Sequence, residues 1–96
     1  LKRVPDNFTL NQNYPNPFNP QTTISYTISA NQAANNPVEL SVYNAIGQKI
    51  KTLVNTVQSA GTYNVTFNAG SLPSGTYFYS LRVADKLETR KMILSK

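Results

Sequence analysis

The chain of 96 residues contains no cysteine and no histidine. Without cysteine it can form no disulfide and offers no thiolate as a nucleophile or a metal ligand. Zinc lacks its usual ligands when both residue types are absent. A hydroxyl nucleophile would need a lysine as its base, as in a pairing of Ser80 with a nearby lysine. Enzymes that depend on thiols, imidazoles or zinc are therefore excluded.

Acidic side chains are also scarce. The four carboxylates are Asp6, Glu39, Asp85 and Glu88, and they fall on a terminal segment, two predicted strands and a turn. Calcium needs several oxygen ligands on one loop, and no loop here supplies more than one carboxylate. No two acids stand at a spacing that suggests a glycosidase pair. We therefore expect no enzymatic activity, no metal site and no cofactor.

Long apolar runs are absent as well. No stretch approaches the roughly 20 apolar residues of a transmembrane helix, and residues 1–7 lack the apolar run of a signal peptide. If the protein is exported, we expect its signal on a part of the polypeptide that precedes Leu1. Because residues 1–7 are poorly patterned, we interpret them as a linker, followed by one domain at residues 8–96.

Strand-like alternation is what the sequence does have. Ile24, Tyr26 and Ile28 alternate with hydroxyl residues, which is typical of a half-buried strand. The alternation recurs along the chain and no helical period persists, which predicts an all-β, Ig-like β-sandwich of about seven antiparallel strands. The later sets expected to face the core are Val38, Leu40, Val42; Ile50, Thr52, Val54; Tyr63, Val65, Phe67; and Tyr77, Tyr79, Leu81, Val83. Phe8 and Leu10 mark an extended first segment, and residues 87–95 the last strand.

Three interruptions refine this prediction. Leu53 lies out of phase, which predicts a bulge or an apolar spot on the outer face. Residues 29–37 are rich in asparagine and lack an apolar face, so we expect a loop there. Asp85 and Lys86 predict a tight reversal before the last strand.

A proline-rich strip occupies residues 13–20, which read Asn-Tyr-Pro-Asn-Pro-Phe-Asn-Pro. Its three prolines fix φ and favour extended geometry in the preceding residues. Tyr14 and Phe18 are the expected anchors. Two interpretations follow: the strip caps one end of the core, or it forms a polyproline-type recognition surface for a partner. A rigid strip could do both.

The net charge of +5 comes from basic residues scattered along the chain, mostly at expected outward positions and turns. Such lysines protect strand edges from pairing. Nucleic-acid binding needs aromatic residues on the charged face, and most aromatics here alternate inward, so we expect no nucleic-acid partner. Tyr14, Tyr43 and Phe78 remain as exposed aromatics for sugar stacking, which keeps a carbohydrate-binding module as an alternative. The basic residues concerned are Lys49, Lys51, Arg82, Lys86, Arg90, Lys91 and Lys96.

Three ordered blocks carry a family resemblance. They are residues 10–20 with 22–26, residues 42–50 with Leu53, and residues 72–79 with 89–94. The set resembles the type A C-terminal sorting domain of the type IX (Por) secretion system. A similar pattern occurs in the Ig-like domain of the flagellar hook-capping protein.

The resemblance implies an Ig-like module at the C-terminus of an exported protein, which folds in the periplasm and directs its cargo through an outer-membrane translocon to the cell surface or medium. A sortase-like peptidase would then cut at or before Asn7. An Ig-like structural accessory module of an extracellular enzyme is the alternative. The family often has glycine in the last hairpin, where this chain has Ala84-Asp85-Lys86. By resemblance, the partner-recognition residues are Asn13, Tyr14, Pro15, Asn16, Pro17, Phe18, Asn19, Pro20, Gly75, Tyr77, Arg90, Lys91 and Lys96.

Overall fold

The computed structural model describes residues 8–29 and 35–96. The expected linker at 1–7 and the middle of the expected loop lie outside this part of the chain. Seven strands form in sequence order: β1 (Phe8–Leu10), β2 (Gln21–Ile28), β3 (Asn36–Tyr43), β4 (Lys49–Gln58), β5 (Gly61–Asn68), β6 (Gly75–Val83) and β7 (Lys86–Leu94). The described residues form no helix, and none of their segments could cross a membrane as a helix.

Two antiparallel sheets build the molecule. Sheet A has the order β1-β2-β5, and sheet B has the order β4-β3-β6-β7. The alternating side chains of both sheets meet in one core, because burying one face of each strand is what a period-two pattern favours. The prediction of an all-β sandwich is confirmed.

The core is built largely from the predicted inward positions. Tyr26 and Tyr79 are fully buried, and Tyr26 stacks on the half-buried Tyr63 with ring centroids 5.3 Å apart. The Tyr26 hydroxyl donates to the Gln58 side-chain oxygen over 2.7 Å, so its polar end is satisfied inside the sandwich. The buried apolar residues are Leu10, Phe18, Ile24, Tyr26, Ile28, Val38, Leu40, Val42, Phe67, Ala69, Tyr77, Tyr79, Leu81, Val83, Met92 and Leu94.

Strand β4 departs from the expected pattern. Its pairing with β3 skips Ile50 and Leu53, so the strand carries two irregularities, and the predicted bulge at Leu53 is present. Each extra residue rotates the following side chains. As a result Leu53 and Val54 pack against the core, whereas Ile50 and Thr52, predicted to face inward, are exposed.

Two connections also differ from expectation. Strand β3 already starts at Asn36, so the loop predicted to reach residue 37 ends earlier. The last hairpin turns at Ala84 and Asp85, one residue before the predicted position. Ala84 has a φ of 56°, a left-handed conformation that glycine adopts more easily.

Candidate functional site: the motif end

The strip at residues 13–20 is bound to both sheets at one end of the sandwich. Tyr14 and Thr23 exchange two backbone hydrogen bonds of 3.0 and 2.9 Å, which tie the strip to β2. The Phe18 amide donates to the Ile93 carbonyl over 2.9 Å, and the Ser95 amide donates to the Phe18 carbonyl over 3.0 Å. The strip therefore bridges the start of β2 and the end of β7.

Asn13 is buried and fixes the strip through hydrogen bonds. Its side-chain amide donates to the Thr22 hydroxyl over 2.9 Å and to the Pro15 carbonyl over 3.1 Å. Its backbone amide donates to the Tyr79 hydroxyl over 2.8 Å, and that hydroxyl donates to the Asn11 carbonyl over 2.7 Å. Burial raises the pKa of Tyr79, so the hydroxyl remains protonated and able to donate. Asn13 thus holds the strip in place and is not available on the surface.

The two predicted anchors of the strip differ. Phe18 is 2% exposed and meets Phe67 edge to face with centroids 6.1 Å apart, whereas Tyr14 is 80% exposed. The expectation that both rings anchor the strip is wrong for Tyr14, because its backbone pairs with β2 while its ring points to solvent. Capping of the core end by the strip is confirmed. The other exposed strip residues are Pro15, Asn16, Pro17, Asn19 and Pro20.

Gly75 and Tyr77 lie at the start of β6, which pairs there with the end of β7. Gly75 has a φ of 151°, and a Cβ added there would meet no atom within 4 Å, so backbone conformation rather than space favours glycine. Tyr77 is buried, and its hydroxyl donates to the Pro73 carbonyl over 2.6 Å. These contacts give both residues a part in shaping the turn before β6.

A shallow depression of about 290 Å³ separates Gly75 from the loop between β3 and β4. Asn44 shapes this loop by accepting hydrogen bonds on its side-chain oxygen from the amides of Ile46 and Gln48. The Ile46 side chain is 79% exposed at the rim. Sequence reasoning did not select Ile46 as a recognition residue, although an apolar side chain between a predicted strand end and Gly47 was the available signal.

The three basic residues selected from the sequence are placed differently. Arg90 turns towards β1, where its Nε donates to the Leu10 carbonyl over 2.6 Å. Lys91 and Lys96 are exposed, and the Lys96 amide donates to the Ser74 hydroxyl over 3.0 Å. Arg90 therefore joins the two sheets, while the other two ammonium groups face solvent.

The hydrogen bond from Arg90 to the Leu10 carbonyl gives a first prediction. Replacing Arg90 by alanine should lower the free energy of unfolding by about 1.5–3 kcal/mol, because the change removes a charge-assisted hydrogen bond between the sheets. Replacing the neighbouring exposed Lys91 by alanine should change it by less than about 0.5 kcal/mol. Urea denaturation of both variants measures the difference, and equal stability of the two would contradict the structural role of Arg90.

Together these elements form what we term the motif end: the strip at residues 13–20, the 44–48 loop, residues 69–77 and residues 94–96. Contacts connect neighbouring parts, since the Ala69 amide donates to the Pro20 carbonyl over 2.8 Å and Phe18 pairs with Leu94. Among residues 8–29 and 35–96, no three acidic side chains come together as a metal site. Lys96 is the one residue of the motif end with a charged side chain.

Comparison with known proteins identifies one family. The family model of the secretion system C-terminal sorting domain matches residues 12–95. The matched span includes every part of the motif end except Lys96, together with β2 to β7. Neither a curated protein nor a solved structure matches the chain.

Proposed function

Because the chain belongs to the family of secretion system C-terminal sorting domains, we propose that its motif end is the surface that the export machinery recognises. The chain is a sorting signal for type IX secretion, which takes a larger polypeptide to the cell surface or medium. The family is not an enzymatic one. A carbohydrate-binding or structural accessory role is not favoured.

The observation that carries the proposal is the convergence of blocks far apart in the sequence. The four parts of the motif end meet at one end of the sandwich through the contacts described above: residues 13–20, 44–48, 69–77 and 94–96. Packing alone would not require exposed Tyr14 and Ile46 there. Exposed aromatic and aliphatic side chains beside a depression are typical anchors of a protein interface.

The direction in which β1 runs also supports the motif end as the recognised surface. Phe8 pairs with Ile28 and Leu10 with Tyr26, so β1 runs towards the motif end. The distance along β2 from Gln21 to Ile28 is roughly 23 Å at about 3.3 Å per residue. A cargo attached before Phe8 would therefore be joined at the far end of the sandwich. The motif end would then stay accessible to an outer-membrane translocon.

The remaining parts of the proposal concern processing. Residues 1–7 act as the linker to an upstream cargo domain, and residues 8–96 form the sorting domain. The domain folds in the periplasm before passage, and a sortase-like peptidase then cuts at or before Asn7. The mass of exported cargo measures this step: cargo that retains residues 8–96 would contradict cleavage.

A reporter fusion tests the recognition surface. Residues 1–96 are placed behind a signal peptide and a reporter in a host with a type IX system, and the reporter is measured in the periplasm, at the surface and in the medium. The unmodified fusion should be exported. Ile46→Ser should reduce export, since it removes an exposed apolar contact of the motif end without opening the core.

Val57→Ser is the matched control, because Val57 is 57% exposed on β4 towards the far end. Both variants should keep the circular dichroism spectrum and unfolding midpoint of the parent. Periplasmic retention of the unmodified fusion would refute the sorting function. Normal export of Ile46→Ser with normal export of the parent would instead refute only this contribution of the motif end.

A further inference from the structure

The charged residues that the structure describes are scattered along the sequence but belong almost all to one of the two sheets. In residues 8–29 and 35–96, every charged side chain belongs to sheet B, to its β6–β7 turn or to Lys96. Seven of these residues are basic and three are acidic, and β1, β2 and β5 contain none. The positive charge is thus unevenly divided between the two sheets.

The outer faces of the two sheets have different chemistry. The outward positions of sheet A bear only hydroxyl or amide side chains, which bind water and offer no charge. Cross-strand pairs such as Thr23 with Thr66 place them side by side. These positions are Thr9, Gln21, Thr23, Ser25, Thr27, Thr62, Asn64, Thr66 and Asn68.

Sheet B instead carries a mixed basic and aromatic row. The register pairs Tyr43 with Lys49 and with Phe78, and Phe78 with Lys91. Directly paired residues share a face, so the row crosses all four strands of the sheet. Three strand spacings put the two lysine backbones roughly 14 Å apart, with two partly exposed rings between them.

Neighbouring residues extend this surface. Arg82 is exposed on the same face as the row and pairs with Leu87, which is 56% exposed. The ion pairs among the described residues join Lys49 to Glu39 and Arg90 to Glu88. Neither pair includes Lys91 or Arg82. Arg82 stands opposite Glu39 in the register of β3 and β6, so Lys91 is the cation of the row that has no carboxylate beside it.

We propose that the outer face of sheet B adsorbs to the surface of an anionic lipid bilayer. Basic side chains near such a surface each strengthen binding, and aromatic rings favour the interfacial region between water and hydrocarbon. Three cations, Lys49, Arg82 and Lys91, lie on this face together with the carboxylate of Glu39. Its net positive charge matches a plane of anionic headgroups. The uncharged face of sheet A fixes the orientation, since it gives the bilayer nothing to attract.

Vesicle partitioning measures this adsorption. The full chain is mixed with vesicles of phosphatidylcholine alone or with one quarter phosphatidylglycerol, and bound protein is separated by sedimentation. We expect binding to the anionic vesicles only, and weaker binding at high salt because counterions screen exposed charges. Lys91→Gln should weaken partitioning by roughly fivefold.

Lys51→Gln is the control with the same loss of charge. Lys51 pairs with the inward-facing Val42 and lines a depression with residues 67–72, away from the outer face, so its effect should be clearly smaller. Equal losses for the two variants would overturn the assignment to this face, as would equal binding to neutral vesicles. Tighter binding to a short DNA duplex than to anionic vesicles would overturn the choice of ligand.

The absence of tryptophan allows a direct test of orientation. Phe78→Trp places a single indole on the proposed face, and its emission should shift to the blue when anionic vesicles are added. Thr66→Trp places the indole on the outer face of sheet A, and no shift should follow. An equal or larger shift for the second variant would overturn the proposal.

Discussion

Phe18→Ala is expected to lower the free energy of unfolding by about 3–5 kcal/mol, the cost of removing a buried phenylalanine and leaving a cavity. Phe18 is 2% exposed and touches the ring of Phe67, so solvent cannot simply refill the space. Small domains have about 5–15 kcal/mol of stability in total. One substitution in the strip should therefore remove a large part of it.

The strip itself should also loosen in this variant. Phe18 is where the backbone of the strip bonds to β7, through the Ile93 carbonyl and the Ser95 amide. Once the ring no longer holds the residue, these hydrogen bonds open more often and the amide protons exchange faster. Urea denaturation gives the stability, and hydrogen exchange at Phe18 and Ser95 gives the local opening.

Tyr14→Ala is the control within the same strip. Tyr14 is 80% exposed, so its removal should change the free energy of unfolding by less than about 0.5 kcal/mol. If Phe18→Ala lost as little stability as Tyr14→Ala, the strip would be stabilised by its prolines and backbone and not by the Phe18 ring.

The sequence alone could not predict that the Phe18 ring is buried and the Tyr14 ring exposed. Proline spacing identified a stiff segment, and two aromatics in it were both natural anchors. Which ring turns inward depends on the backbone pairing of Tyr14 with Thr23 and on the position of Phe67. Those partners come from other parts of the chain, and no local pattern specifies them.

The strands were predictable because burial imposes a period of two on each of them. The prediction failed at Ile50 and Thr52 for a local reason: an edge strand has one neighbour, and β4 accommodates two extra residues there. The uneven division of charge between the sheets could not be predicted, for a topological reason. The order β4-β3-β6-β7 unites charged strands that the sequence separates by the uncharged β5.

The residues predicted for recognition also divide into those that the sequence locates and those whose contacts only the fold shows. The family blocks coincide with the motif end, and several of the residues selected from them prove to have internal contacts, Phe18 with its burial against Phe67 among them. Asn13 and Tyr77 are buried and hydrogen-bonded, and Arg90 donates to the Leu10 carbonyl. Residues of a sequence motif can thus hold a surface in shape without forming that surface.

Deletion of residues 92–96 is expected to abolish export of the reporter fusion. Met92 and Leu94 are fully buried, and Ile93 and Ser95 carry the backbone bonds to the strip. Loss of two buried aliphatic side chains costs about 4–10 kcal/mol, which reaches or exceeds the stability of a typical small domain. The measurement is reporter in the medium and at the surface, with circular dichroism of the purified domain.

In that deletion, export would be lost either because the domain unfolds or because a recognised surface is removed. A second variant must therefore separate these two causes. Lys96→Gln removes the exposed charge of the motif end and keeps the backbone amide that donates to the Ser74 hydroxyl. It should leave the unfolding midpoint unchanged. If the export machinery reads the charge, export falls in this folded variant; normal export would assign recognition to the uncharged surface of Tyr14, Ile46 and the strip. Because the first change acts on the fold and the second only on charge, the two together identify what the secretion machinery binds.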